Sequence, residues 1–200
     1  MNKSWTLLAP LAALLAACAT PEPAPPPAPA PPPAWVAQAS AVAAAVPPKL
    51  LAVLQAEIAR GGPESAVEAC RVMAPEMART ASQQSGWSIR RVSLRNRNPK
   101  AVPDAWERAA LEDFDRRAAA HESPATLQRA DTVQENGQPV QRYIRALPTM
   151  ELCTQCHGTA DKLKPAVVER LKALYPDDRA TGYRVGELRG AITLRRPAPQ

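Results

Sequence analysis

Aromatic residues make up only 4% of the 200 residues, so the core must be built mainly from Ala, Leu and Val and lacks flat apolar bulk. Histidine is scarcer still. His121 and His157 stand alone, which leaves little for acid–base catalysis by imidazole. The four cysteines include a single C-x-x-C pair, Cys153 and Cys156, whereas a tetrahedral zinc site usually takes two such pairs. Lys and Arg number 25 against 19 Asp and Glu, a net charge of +6. The basic residues are interspersed with acids and form no aromatic-interleaved stripe, so nucleic acid is not expected as a partner. No internal repeat is present.

What the chain does hold is Cys153-Thr154-Gln155-Cys156-His157. Two cysteines three apart share one side of a helical turn, where both thiols can add to the two vinyl groups of a haem. The adjacent imidazole then supplies an axial ligand to iron, and C-x-x-C-H is the attachment signal for c-type haem. A thioredoxin-like redox pair would also read C-x-x-C, but its chemistry asks for no following histidine. One covalent haem c is therefore the expected cofactor.

The N-terminus points to export. Met1-Asn2-Lys3 is followed by the uncharged apolar run Leu7 to Ala17, too short to span a bilayer and ending in Leu15-Ala16-Ala17-Cys18. That ending resembles the lipobox of bacterial lipoproteins, which implies lipidation at Cys18; the alternative is an ordinary signal peptide cleaved near Ala19. Residue 19 is not the aspartate that favours inner-membrane retention. The expected location is the bacterial cell envelope, with a lipid anchor facing the periplasm and the outer membrane favoured. Haem attachment of this kind also takes place outside the cytoplasm, so leader and motif agree. The expected domains are a signal peptide over 1–17, a lipidated cysteine and Pro/Ala-rich polyproline II linker over 18–34, and one folded domain over 35–200.

Apolar periodicity predicts helices from Val36 to Ala45 and from Pro48 to Arg60, a stop at Gly61-Gly62-Pro63, and a further helix from Glu64 to Gln84 closed by Gly86. Trp87 to Arg95 alternates as a strand, and Pro103-Asp104-Ala105-Trp106-Glu107 opens a helix of about fifteen residues. Strands over Leu127 to Val133 and Pro139 to Ala146 flank Asn136-Gly137, a hairpin signal. A helix over Pro165 to Leu174 and a strand over Leu188 to Arg195 follow, with Gly190 marking a close backbone approach or a bulge. Helices with four short strands predict an α+β fold with an antiparallel sheet.

With Cys18 assigned to lipid and Cys153 and Cys156 to thioethers, Cys70 is left over. It reads either as a small buried hydrophobe or as a thiolate ligand to iron. Met73 and Met77 on the same helix, and His121, are rival ligands. A methionine would raise the reduction potential and a thiolate would lower it. Alternation along the arginine-rich strand puts Arg91, Ser93 and Arg95 on one face and Arg90, Val92 and Leu94 on the other. Arg91 and Arg97 are candidate partners for the haem propionates, with a solvated cationic edge as the alternative. Trp87, Trp106 and Tyr143 are candidates for pocket or plain core.

Ala66-Val67-Glu68-Ala69-Cys70 with Ala74-Pro75, Arg90 to Leu94, Arg97-Asn98-Pro99, Pro103 to Glu107, Cys153 to Gly158, Gly182-Tyr183 and Gly186 to Ala191 resemble, in this order, the PAS-like c-type haem domain. That domain occurs alone as a cyanobacterial cytochrome and as the periplasmic input region of bacterial sensor kinases. The resemblance implies a PAS-like fold with one covalent haem whose iron is held by the motif histidine and by a cysteine on an early helix, here His157 and Cys70. The chain departs from it at Lys100-Ala101-Val102. The expected function is that of a lipid-anchored monohaem cytochrome carrying single electrons or sensing redox state, with an unidentified redox or signalling protein as partner. A haem-based sensor of carbon monoxide or nitric oxide is one alternative, and a structural lipoprotein with a non-haem metal site is another. An enzymatic role is not expected.

Overall fold

The computed structural model describes residues 31–199. The expected leader, Cys18 and the linker up to residue 30 lie outside the described residues. Pro33, at φ −53° and ψ 144°, leads directly into α1, Ala34–Ser85. This helix is interrupted at Gly61 and Gly62, and Gly62 adopts φ 78°, a backbone region that suits a residue without Cβ. The break therefore falls where the Gly-Gly-Pro signal placed it. The hydroxyl of Ser65 donates to the carbonyls of Glu57 and Gly62 at 2.9 and 2.8 Å and so caps the free end of the first segment. Gly86, at φ 72°, closes the second segment with its N–H on the carbonyl of Ser82.

The expected gap between Ala45 and Pro48 is not there: the helix runs through Pro47 and Pro48. Proline's fixed φ suits a helix even though its missing N–H costs a bond. Here Ala39 and Ala43 before the prolines are fully buried on the sheet, with Val46 beside them, and this packing holds the segment together.

The sheet is antiparallel throughout, with strands β1 (Ser88–Val92), β2 (Gln128–Glu135), β3 (Gln138–Pro148) and β4 (Leu188–Pro197) in the order β1-β4-β3-β2. Asn136 and Gly137, at φ 51° and 76°, turn the hairpin that pairs Glu135 with Gln138. β1 stops at Val92 rather than Arg95. The buried Ser93 hydroxyl donates to the carbonyls of Arg95 and Arg189 and accepts from the Arg95 N–H, which replaces further strand pairing with local bonds.

Each face of the sheet has its own core. On one, Ala39 and Ala43 of α1 pack with Trp87, Ile89, Tyr143, Ile192 and Leu194. On the other, α2 (Ala105–Ala119) inserts Ala110, Leu111 and Phe114 against Val92, Leu127, Ile144, Ala146 and Ala191. α2 starts on a capping box: Asp104 accepts from the Glu107 N–H while Glu107 accepts from that of Asp104, both at 2.9 Å. Two short helices complete the domain, α3 (Glu151–His157) and α4 (Pro165–Leu174). Val67 on the second segment of α1 packs with Val167 and Leu171 of α4, and Cys156 of α3 joins them. The architecture is α+β, with a four-stranded antiparallel sheet and flanking helices consistent with a PAS-like fold.

Candidate functional site

The C-x-x-C-H stretch forms α3, so both cysteines and the histidine lie on a single two-turn helix following the β3 exit. Three tethers hold it. Arg97 donates from Nη2 to the Cys156 carbonyl at 2.6 Å and from Nε to Asp178 at 3.0 Å, placing a cation at the end of α3 where carbonyls lack partners. The Tyr183 N–H donates to the His157 carbonyl at 2.9 Å. The His157 ring also meets the Ala180 carbonyl through Nδ1 at 2.6 Å. A carbonyl only accepts, so Nδ1 carries the proton and Nε2 keeps its lone pair.

That nitrogen lies 3.5 Å from Nη2 of Arg189, and both residues line a cavity of about 420 Å³ between the two segments of α1, the β1 edge of the sheet and α3. Cys70, Cys153, Cys156, His157, Arg91 and Arg97 all line it. Residues 70, 91–97 and 153–157, far apart in sequence, thus meet around one space. Apolar groups from Leu54, Ile58, Ala66, Val67 and Leu152 supply much of the remaining wall. Met73 and Met77 are not among the lining residues, and His121 is exposed at φ 68° beyond α2. Trp87 and Tyr143 belong to the α1-side core and Trp106 to the α2 side, where its ring nitrogen donates to Asp131 at 2.8 Å.

Burial and positive neighbours set the protonation states. Burial, aided by Arg189 and Arg97, holds the His157 imidazole well below its usual pKa, so it is a neutral ligand donor at physiological pH. Burial raises the Cys70 thiol, with Arg91, Arg97 and Arg189 pulling the other way. It pushes Cys156 up to about 11. Among the described residues Cys70, Cys153 and Cys156 are all free of disulfides.

The arginines divide by partner. Arg90 turns to the α2 face and donates from Nε to the buried Glu107 at 3.2 Å. Arg91, on the cavity face, makes no side-chain hydrogen bond or ion pair among the described residues. It is exposed and open to the cavity. Arg97 is committed to Asp178 and to α3.

One cavity residue went unread in the sequence, Arg189. Leu147 pairs with Gly190 and Pro148 with Leu188, so Arg189 is the extra residue of a bulge. Strict alternation from Ala191 would send it to the α2 side; the bulge turns it into the cavity instead. No signal short of the strand register reveals this.

A family model described as Tll0287-like matches residues 23–197. The chain belongs to the Tll0287-like family. Among solved structures, it is similar to the crystal structure of the cyanobacterial haem protein Tll0287, with 30% identity, a TM-score of 0.51, and coverage of 66% of this chain and 73% of that one. None of the curated proteins matches. For this family member, then, two thiols three residues apart on one short helix, a neutral imidazole and a third thiol border one partly apolar space.

Proposed function

We propose that the chain is a monohaem c-type cytochrome, lipid-anchored through Cys18 and facing the periplasm, that carries single electrons or reports redox state to a separate protein. One observation carries this reading: Cys153, Cys156 and His157 of the only C-x-x-C-H of the chain line one cavity together with Cys70, with the His157 proton held on Nδ1. The relative with a solved structure is itself a haem protein. The cavity fits such a group, with an apolar wall for a flat ring and cationic side chains for its carboxylates.

Cys153 and Cys156 would hold the haem through thioethers, and His157 and Cys70 would ligate its iron. Bound haem supplies a one-electron iron couple. The chain orients it. The Ala180 carbonyl fixes the His157 tautomer, as second-sphere partners of metal-bound histidines do, and Arg97 locks α3 in place. Arg91 is the free cation for a propionate; Arg97 has already spent two donors on the protein.

The test is haem staining after denaturing electrophoresis of chain made in cells competent for cytochrome maturation. Stain retained by the wild type and lost in Cys153→Ser/Cys156→Ser supports the reading. An unstained wild-type band would refute it, because only thioether-linked haem survives denaturation.

A further inference from the structure

Six cationic residues border the cavity, Arg90 with its side chain turned away to Glu107, and no carboxylate among the described residues does. Three are neutralised from outside it: Arg79 by Glu76, Arg90 by Glu107 and Arg97 by Asp178. Lys100 is exposed to water. That leaves Arg91, itself exposed, and the buried Arg189 without an anion among the described residues. Arg189 is only 5% exposed, and its Nε has no hydrogen-bond partner. Its Nη1 reaches the Ser93 hydroxyl at a long 3.4 Å, and its Nη2 lies 3.5 Å from Nε2 of His157. A buried guanidinium lacking an anion is costly, by several kcal/mol on the order of magnitude usual for ions. This fold keeps one such group, Arg189, and builds a strand bulge to aim it into the cavity, beside the exposed and equally unpaired Arg91.

We infer that Arg91 and Arg189 form a carboxylate-binding pair that receives the two propionates of the porphyrin and makes the cavity selective for a dianionic ligand. The inference rests on the haem reading of this cavity. The His157 contact supports it: a cation cannot stay against Nε2 once that nitrogen donates to a metal, so Arg189 must leave the contact as the cavity fills and is then free to meet an anion. The Tyr183 ring, 5.1 Å from the guanidinium carbon, flanks it on the protein side. Guanidinium suits the task because its planar fork pairs with a carboxylate through two parallel bonds.

The test uses the full-length chain made without haem attachment, its thiols kept reduced. It is titrated with metal-free protoporphyrin IX and with the dimethyl ester of that porphyrin, following the quenching of tryptophan fluorescence. The free acid should bind the wild type about tenfold or more tighter than the ester, the gain expected of a charge-assisted pair. That ratio should fall several-fold in Arg91→Gln and in Arg189→Gln, and return in large part in Arg189→Lys. Equal affinity for acid and ester in the wild type would overturn the inference and leave the haem reading intact. So would an unchanged ratio in Arg91→Gln, a substitution that removes no bond from the fold. Failure of both porphyrins to bind would overturn the two together. In the covalently loaded protein, resonance Raman propionate bands should shift in Arg189→Gln; bands unchanged in both arginine variants would again count against the pair.

Discussion

The imidazole of His157 shows how one main-chain acceptor decides chemistry. Because the Ala180 carbonyl takes the Nδ1 proton, the lone pair is delivered to the cavity, and burial keeps the ring neutral. Cys70 faces the same space, and its role is tested directly. Cys70→Ala should change the ferric absorption and paramagnetic resonance spectra and raise the reduction potential, since a thiolate ligand depresses it. Superimposable low-spin spectra in the two proteins would remove Cys70 from the coordination sphere. Asp104 is a second residue with separable effects. Burial pushes its carboxyl up, but bonds from Arg142 and the Glu107 N–H outweigh this and hold it below the usual 3.8. A carboxyl with a depressed folded pKa stabilises the fold above its unfolded pKa, and that contribution disappears as pH falls through the folded value. Asp104→Ala should cost about 1 kcal/mol at neutral pH, as capping losses do, and the gap to wild type should close in acid, as followed by denaturant unfolding between pH 7 and pH 2.

Among the elements, β4 is the one whose irregularity matters most. Gly190 sits at φ 139°, and a Cβ there would meet the Val92 carbonyl oxygen at 2.4 Å and Ser93 at 3.0 Å. The two sequence readings of this glycine, close approach and bulge, are thus both realised at one position. Gly190→Ala would impose backbone strain and overpacking together, costing about 2–4 kcal/mol. It should also move Arg189, so the variant should lose thermal stability and porphyrin-acid preference in parallel. A melting temperature within one degree of wild type would show that the β1–β4 contact gives way easily. Helix α1 makes the contrasting point. Its break at Gly61–Gly62 was readable because two glycines before a proline have few other uses, whereas passage through Pro47–Pro48 depended on packing against the sheet.

At the scale of the molecule, the cavity is a product of assembly: α1 contributes Cys70, β1 contributes Arg91, α3 the motif and β4 Arg189. A covalently held group stays on the chain when it unfolds, but its contacts with these elements exist only in the folded state, so loading should raise the melting temperature by about 10 °C, the shift that a few kcal/mol gives in a domain of this size. Equal melting temperatures for the loaded and haem-free chains would mean that the cofactor adds no cross-link between elements. Anchoring is tested separately from haem. Cys18→Ala should move the protein from the membrane fraction to the soluble periplasmic fraction with its haem stain intact; unchanged fractionation would exclude lipid attachment at that residue.

The sequence by itself determined the local grammar of this protein. Helix ends at Gly61–Gly62 and Gly86, the hairpin at Asn136–Gly137, the capped start of α2 and the helical pairing of Cys153 with Cys156 all follow from backbone preferences acting within a few residues. Cysteine arithmetic also singled out Cys70, since a leftover thiol needs no neighbour in space to be noticed. Tertiary structure alone decided which groups meet. Arg97, a candidate anion receptor by sequence, is placed as a brace on the Cys156 carbonyl of α3 and held there by Asp178, eighty-one residues away. Arg189 was swung into the cavity by a bulge that exists only once β3 and β4 have paired. The physical reason is range: propensities and caps act along the chain, while register and charge pairing act across it, and no reading of one strand reveals the register its partner will impose.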